Sequence, residues 1–353
     1  MIERLPAPTQ TVYAELLERS IQLEAADVLG VAGSGSFVEK EIKGRRYWYL
    51  QKSEGRAKRQ LYLGPDSPAL RSWMTKVREE REATRSQVEA VVRLSAMLTS
   101  GGAPAEPAAI IKVLEILRDA EVFRRGGVLI GTVAYRGLGT ALGVRLEAST
   151  LRTEDVDIAH EPDLAVGLTP DGGRGSVADR LLGADEGFQP IPTLDPRQPS
   201  TSFSVRSLDL RVDFLVPARG RNPEGPVFLP ELGLSATPVR FLEYLIEAPI
   251  RAVLAGPRPV LVNVPQPARF AFHKIYTAVG RSAAFQTKAF KDIAQATSLA
   301  EVLIADRPDD LTAAWRALAP YPKVSRRIER AFDRLPSAVA GALQRLTAES
   351  GGP

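Results

Sequence analysis

The stretch between Gly126 and Asp157 limits what this chain can fold into more than any other. A short apolar run, Val128-Leu129-Ile130, reads as a buried strand. It stops at Gly131-Thr132, where glycine lets the backbone turn through positive φ. A segment of mixed helical character follows, and a second strand then carries Asp155 and Asp157 two positions apart. Side chains alternate across a strand, so both carboxylates leave one face while Val156 and Ile158 enter the core. Further on, LDLRVDFLVP reads as another strand. Leu208, Leu210, Val212, Phe214 and Val216 share its apolar face, and Asp209, Arg211 and Asp213 share the other. Asp213 is therefore a candidate third carboxylate.

Composition narrows what such acids can serve. The 353 residues include no cysteine and two histidines, His160 and His273, which excludes thiolate metal sites and argues against a histidine-rich zinc site. A net charge of +4 permits an anionic partner without demanding one. No apolar run approaches the ~20 residues that span a bilayer. The opening MIERLPAPTQ lacks the basic-then-apolar pattern of a signal peptide. A cytoplasmic enzyme or binding protein without a membrane contact is the expectation.

Around the central stretch the pattern predicts three regions. Residues 1–100 form an N-terminal module: a helix over 8–27, a Gly/Ser patch at 33–36, a basic β-hairpin turning near Ser53-Glu54-Gly55, and a long helix over 68–99. GGAPAEP (101–107) reads as a linker into a core over 101–220, which opens with an amphipathic helix from Ala108 to Ala120. A Gly/Pro-rich passage from Glu161 to Ser200 holds one short helix near Val177–Leu182. Residues 221–353 begin loop-rich and then give strands within Pro238–Leu254 and at Pro259–Val264. After them come a helix over ARFAFHKIYTAVGR, two more helical stretches, and a basic last helix from Lys323 to Leu346.

The acids point to a particular chemistry. Two carboxylates about 4 Å apart repel by roughly 4 kcal/mol at an effective dielectric of about 20. A strand facing a cleft seldom carries three without a cation to neutralise them. Transfer of a nucleotidyl group needs carboxylates to hold divalent cations, one activating the attacking hydroxyl and one bridging the triphosphate. It also needs a small-residue turn whose N–H groups approach the phosphates. Gly131-Thr132, Asp155-x-Asp157 and Asp213 supply both.

The order Gly131-Thr132, Arg152-Thr153, Asp155-x-Asp157, then Asp213 within VDFLVP, resembles the nucleotidyltransferase superfamily that shares its core with DNA polymerase β. GTVAYRGLGTALGVRL, RTEDVDIA, VDFLVP and VPQPARFAFHKIY are similar to a bacterial branch of nucleotidyltransferase-like proteins. Abortive-infection toxins with an Arg-x-Thr-x-Asp-x-Asp pattern are a more distant likeness, and the resemblance spans Gly126 to Leu303. It implies an α+β fold: a mixed-sheet nucleotidyltransferase core flanked by helices, with an N-terminal helix/β-hairpin module and a helical C-terminal region. It also implies that Asp155, Asp157 and Asp213 are catalytic and bind Mg²⁺ (or Mn²⁺). Gly131, Thr132, Arg152 and Thr153 would then contact the NTP, and Lys274 would reach its triphosphate as a point charge. Threonine stands in the second position of the family's Gly-Ser signature, and the spacer from Thr132 to Asp155 is longer than in compact members.

The acceptor is open at this level. Arg45, Arg46, Lys58 and Arg59, interleaved with Tyr47, Trp48, Tyr49 and Tyr62, suit phosphate contacts with base stacking. The same pattern also fits a small sheet with a solvated basic face. An RNA acceptor, such as a tRNA 3′ end in a toxin that would need an antitoxin partner, stands beside a protein or small-molecule acceptor such as an aminoglycoside. A non-catalytic nucleotide- or RNA-binding module is the reading from another class. On the helix of His273 and Lys274, the histidine reads as a structural residue capped by a neighbour. Lys288 and Lys291 read as solvated or paired with Asp292. A dinucleotide turn at Gly137-x-Gly139 competes for the same stretch, but that fingerprint opens directly after its strand and leaves Asp213 unexplained.

Overall fold

Alternating and continuous apolar runs become the strands of one mixed sheet in the computed structural model of the chain. The structure describes residues 2–28, 35–42, 44–54, 57–146, 155–162, 176–185, 187–193, 198–220, 225–230, 232–281 and 285–349, without the side chains of 52–54, 57 and 59. The chain begins with β1 (Glu3–Arg4) and α1 (Ala7–Val28), then β2 (Ser36–Ile42), β3 (Arg45–Glu54) and β4 (Ala57–Pro65). The long α2 (Pro68–Ser100) follows, with Ser67 at its N-cap accepting from the Leu70 N–H. Next come α3 (Ala108–Asp119), β5 (Val128–Ile130), α4 (Gly131–Ala141), β6 (Val144–Arg145), β7 (Asp155–Ala159), α5 (Val177–Leu182), β8 (Phe188–Pro190) and β9 (Ser202–Val205). They continue as β10 (Leu210–Pro217), β11 (Val227–Leu229), β12 (Leu234–Val239), α6 (Leu242–Ile246), β13 (Ile250–Leu254) and β14 (Val260–Val264). Five helices end the described chain: α7 (Pro267–Gly280), α8 (Gln286–Asp306), α9 (Pro308–Arg316), α10 (Pro322–Ala331) and α11 (Ser337–Glu349).

The central sheet has the order β11-β12-β10-β7-β5, with β9 on the first half of β10 and β8 on β9. It is mixed, because β10 runs parallel to both β7 and β12, while β5, β9 and β11 each pair antiparallel. Val156 and Ile158 of β7 and Val212, Phe214 and Val216 of β10 are all 0% exposed, so the apolar side of both strands is fully committed to the core. Helix α3 adds Ile110, Val113, Leu114 and Leu117 to that core. A second core gathers α7 to α11 around Trp315, whose ring lies 5.4 Å from Phe272 and 6.2 Å from Phe332. A third packs α1 and the end of α2 on the β13–β14 pair. The architecture is α+β. Among the described residues, no helix is long and apolar enough to cross a membrane.

Several expected elements differ. The basic hairpin is a three-stranded antiparallel meander, β2-β3-β4. Its additional turn passes through Gly44 at φ +75, a conformation that glycine adopts without strain. The loop-rich passage after 221 contains β11 and β12. Leu208 lies in a short 3-10 turn and Asp209 in the left-handed region (φ 50), so neither belongs to the strand face of β10. The single basic helix over 323–346 is two helices, because Pro336 holds Leu335 extended (φ −90, ψ 158) and ends the first. Residues 101–107 have no helix or strand of their own, yet Ala103 is buried and Glu106 donates its N–H to the Ala255 carbonyl.

Candidate active site

The register of three strands brings the acids together. Ile130 of β5 stands opposite Asp157 of β7. Across the parallel pair, Asp213 of β10 stands opposite Asp157, and Arg211 opposite Asp155. Because both strands spend one face on the core, the other face carries Asp155, Asp157 and Asp213 side by side. Asp155 is exposed, and the other two are half-buried.

Gly131 sits directly against this face. Its φ of +71 turns the chain out of β5 and straight into α4, and a β-carbon built on it would fall less than 3.0 Å from Oδ2 of Asp157. The first turn of α4, with Thr132, therefore begins beside the carboxylate, where its N–H groups lack intrahelical acceptors. Further along α4, Gly137 abuts Leu254 and Gly139 abuts Leu146. These glycines let the helix pack closely on its neighbours and do not form a dinucleotide turn.

Electrostatics single out Asp157. Its carboxyl is pushed up to about 6, first by burial, then by the charges of Asp213 and Asp155, while Lys274 and Arg211 pull it back. Oδ1 of Asp213 accepts from Arg211 Nε at 2.7 Å and from the Ser202 hydroxyl. Arg211 also donates to Ser202 Oγ at 3.0 Å. No group of three or more histidine, cysteine, aspartate or glutamate side chains among the described residues is gathered to hold a metal ion. The donor chemistry still fits a hard divalent cation: oxygen ligands only, and a half-buried carboxylate crowded by two like charges.

A helical flank adds cations. Lys274 Nζ donates to Asp292 Oδ1 at 2.7 Å, and Arg281 Nε to Asp292 Oδ2 at 2.7 Å. Asp292 is buried, and among the described residues it pairs with these two and not with Lys291. Lys291 is half-buried, and its ammonium is pushed below the usual lysine range by burial and by the charge of Lys274, with Arg136 and Lys288 acting the same way against Asp292. Among the described residues, buried Nε2 of His273 has no hydrogen-bond partner to cap it. The residue is buried, stacks on Phe241 at 5.8 Å and 12°, and burial pushes its imidazole down to about 3, so it is neutral.

Arg152 and Thr153 lie outside the described residues, as does the side chain of Arg59. Arg45 and Lys58 are exposed on the meander. Arg46 belongs to its opposite face and pairs with Glu39 at 3.7 Å and Asp66 at 3.4 Å. Sequence reasoning missed Ser202 and Arg281 and the buried Glu106–Arg136 pair, which ties residues 101–107 to α4. Only Arg211 carried a signal, since alternation puts it on the face of Asp213. A cleft of about 860 Å³ between α1, α2 and α3 is lined by Glu24, Val88, Arg118 and Arg258 among others, and by none of the three aspartates.

No curated protein and no solved structure matches the chain. A family model described as nucleotidyltransferase matches residues 108–320, from the start of α3 to just before α10. Those residues include Gly131, the three aspartates and Lys274, whereas the β2–β4 meander lies outside them. With more than half of its length in that match, the chain belongs to the nucleotidyltransferase family.

Proposed function

We propose that this protein transfers a nucleoside monophosphate from an NTP to an acceptor hydroxyl, with RNA as the acceptor. The observation that carries the reading is the pairing of Asp157 with Asp213 beside the first turn of α4. Asp155, Asp157 and Asp213 would hold Mg²⁺ or Mn²⁺, which supplies charge neutralisation of the triphosphate and a more acidic acceptor hydroxyl. The N–H groups at Gly131 and Thr132 orient the phosphates, and Lys274, released from Asp292, offers its ammonium to the bound triphosphate. The acceptor oxygen forms the new bond to the α-phosphorus as the bond to the β-phosphate oxygen breaks. In this reading Asp213 accepts the hydroxyl proton.

One observation favours a second reading, a nucleotide- or RNA-binding module without turnover. The Asp213 carboxylate is held by Arg211 and Ser202. Incubation with each α-labelled NTP, Mg²⁺ or Mn²⁺ and total cell RNA separates the two. Label is expected to enter RNA, and the Asp157→Asn variant is expected to lose the transfer. Failure of any NTP to label RNA, protein or a small molecule would overturn the enzymatic reading and favour the module.

A further inference from the structure

Strand register divides the β2–β3–β4 meander into two unlike faces. Lys40 pairs with Tyr47, Ile42 with Arg45, and Tyr49 with Tyr62, while Lys58 pairs with Ser53 two positions before the turn. Alternation therefore puts Lys40, Arg45, Tyr47, Tyr49, Lys58 and Tyr62 on one side. The rings confirm it. Tyr62 lies 5.4 Å from Tyr49 and 6.2 Å from Tyr47, and Lys40 Nζ sits 4.8 Å from the Tyr49 centroid.

The other side is accounted for. Phe37 packs edge-on against Trp73 of α2 at 5.7 Å, under Arg78 and Arg81. Trp48 donates to Asp66, and Glu39 is paired with Arg46. By register Glu39 and Glu41 also belong there. The tyrosine face has no acid among its described residues, and its cations Arg45 and Lys58 are exposed with no ion-pair partner among them. Tyr62 is 54% exposed, so much of its ring is open to solvent.

We propose that this tyrosine face binds a single-stranded nucleic acid and is where the acceptor RNA is held. The proposal rests on the reading of RNA as acceptor. Stacking on an aromatic ring needs an unpaired base with an open π-face, and flanking lysine and arginine then meet the phosphates on either side. A duplex keeps its base faces inside its own stack and offers this surface only phosphate. Such a sheet can serve any single strand, because rings and cations in this arrangement read no base edge.

The test is fluorescence anisotropy of the full chain with a labelled single-stranded 12-nucleotide RNA, alone and annealed to its complement. The single strand is expected to bind at least about tenfold more tightly than the duplex. Tyr62→Ala is expected to weaken single-strand binding about tenfold, and Tyr62→Phe to restore it, because the ring and not the hydroxyl stacks. The Arg45→Ala/Lys58→Ala pair is expected to weaken binding and flatten its salt dependence by about 0.7 per lost phosphate contact. Arg46→Ala, on the opposite face, is expected to leave both unchanged. Equal affinity for duplex and single strand would overturn the proposal. So would unchanged binding in the Tyr62→Ala/Arg45→Ala/Lys58→Ala variant with a normal melting profile, or binding to anionic vesicles in place of RNA. Wild-type RNA binding in Asp157→Asn supports the platform whether or not transfer survives. A wild type that binds RNA through this face yet labels nothing sinks the enzymatic reading alone. One that labels a protein or small molecule without binding RNA sinks this inference together with the choice of RNA as acceptor, and leaves nucleotidyl transfer standing.

Discussion

Oδ2 of Asp157 occupies the space that a side chain on Gly131 would fill, so the turn into α4 and the central carboxylate are one unit. Gly131→Ala must both strain a backbone at φ +71 and push that carboxylate aside. The expected cost is about 1–2 kcal/mol in stability and a loss of transfer rate of about 100-fold. Denaturant melts and initial rates measured together check it, and a variant with full activity would separate the turn from the chemistry.

Crowding of Asp157 by Asp155 and Asp213 predicts a protein stabilised by divalent cations. At about 100 times its dissociation constant, Mg²⁺ adds roughly 2–3 kcal/mol, a shift of several degrees in the melting temperature for a chain of this size. Chelation removes the shift, and Asp157→Asn abolishes it. Differential scanning fluorimetry with Mg²⁺, Mn²⁺ and EDTA reads this out. A wild-type melting point indifferent to all three counts against a metal at these acids.

Asp292 binds Lys274 and Arg281 from the core, so the two ends of the arrangement respond differently to mutation. Asp292→Ala strands both cations and is expected to cost about 2–4 kcal/mol. Lys274→Ala leaves Asp292 with Arg281 and costs less. Its expected signature is a KM for NTP raised about tenfold with a smaller change in kcat, the pattern of lost ground-state binding. Urea titrations and steady-state kinetics on the pair of variants distinguish the roles.

His273 sets an acid limit on the fold. Its imidazole titrates near 6.5 when unfolded and at about 3 in the folded core. The folded state therefore binds fewer protons across that window, and stability present above pH 6.5 is lost as pH falls towards 3. By pH 5 this amounts to about 2 kcal/mol. His273→Phe, a ring that can keep the stack on Phe241, is expected to flatten that limb between pH 7 and 5. Urea midpoints at the two pH values decide it, and an unchanged slope would assign the acid loss to other groups.

The strands that carry the aspartates were legible because their signal is local. Val156, Ile158, Val212 and Phe214 alternate with polar residues, and a period of two is visible in a handful of positions. The turn between β2 and β3 escaped notice because Glu39, Lys40 and Glu41 follow in succession and no residue of β2 is buried to impose a rhythm. β11 and β12 were hidden by Phe228, which is 60% exposed, and by Pro238 within a strand. What spacing could not reveal were the ties that set the charges. Ser202 to Asp213, Asp292 to Arg281 and Glu106 to Arg136 are made by tertiary packing, and no interval along the chain encodes them. The division of Arg45 from Arg46 was within reach, since neighbours on a strand face opposite ways.

The hold of Arg211 and Ser202 on Asp213 gives the carboxylate face a built-in occupant. Any dication that takes that oxygen must first evict a guanidinium, so loading is an exchange of one positive charge for another. Affinity for the ion is thereby lowered, and the displaced arginine is left beside the acids, free to meet the anion that arrives with the metal.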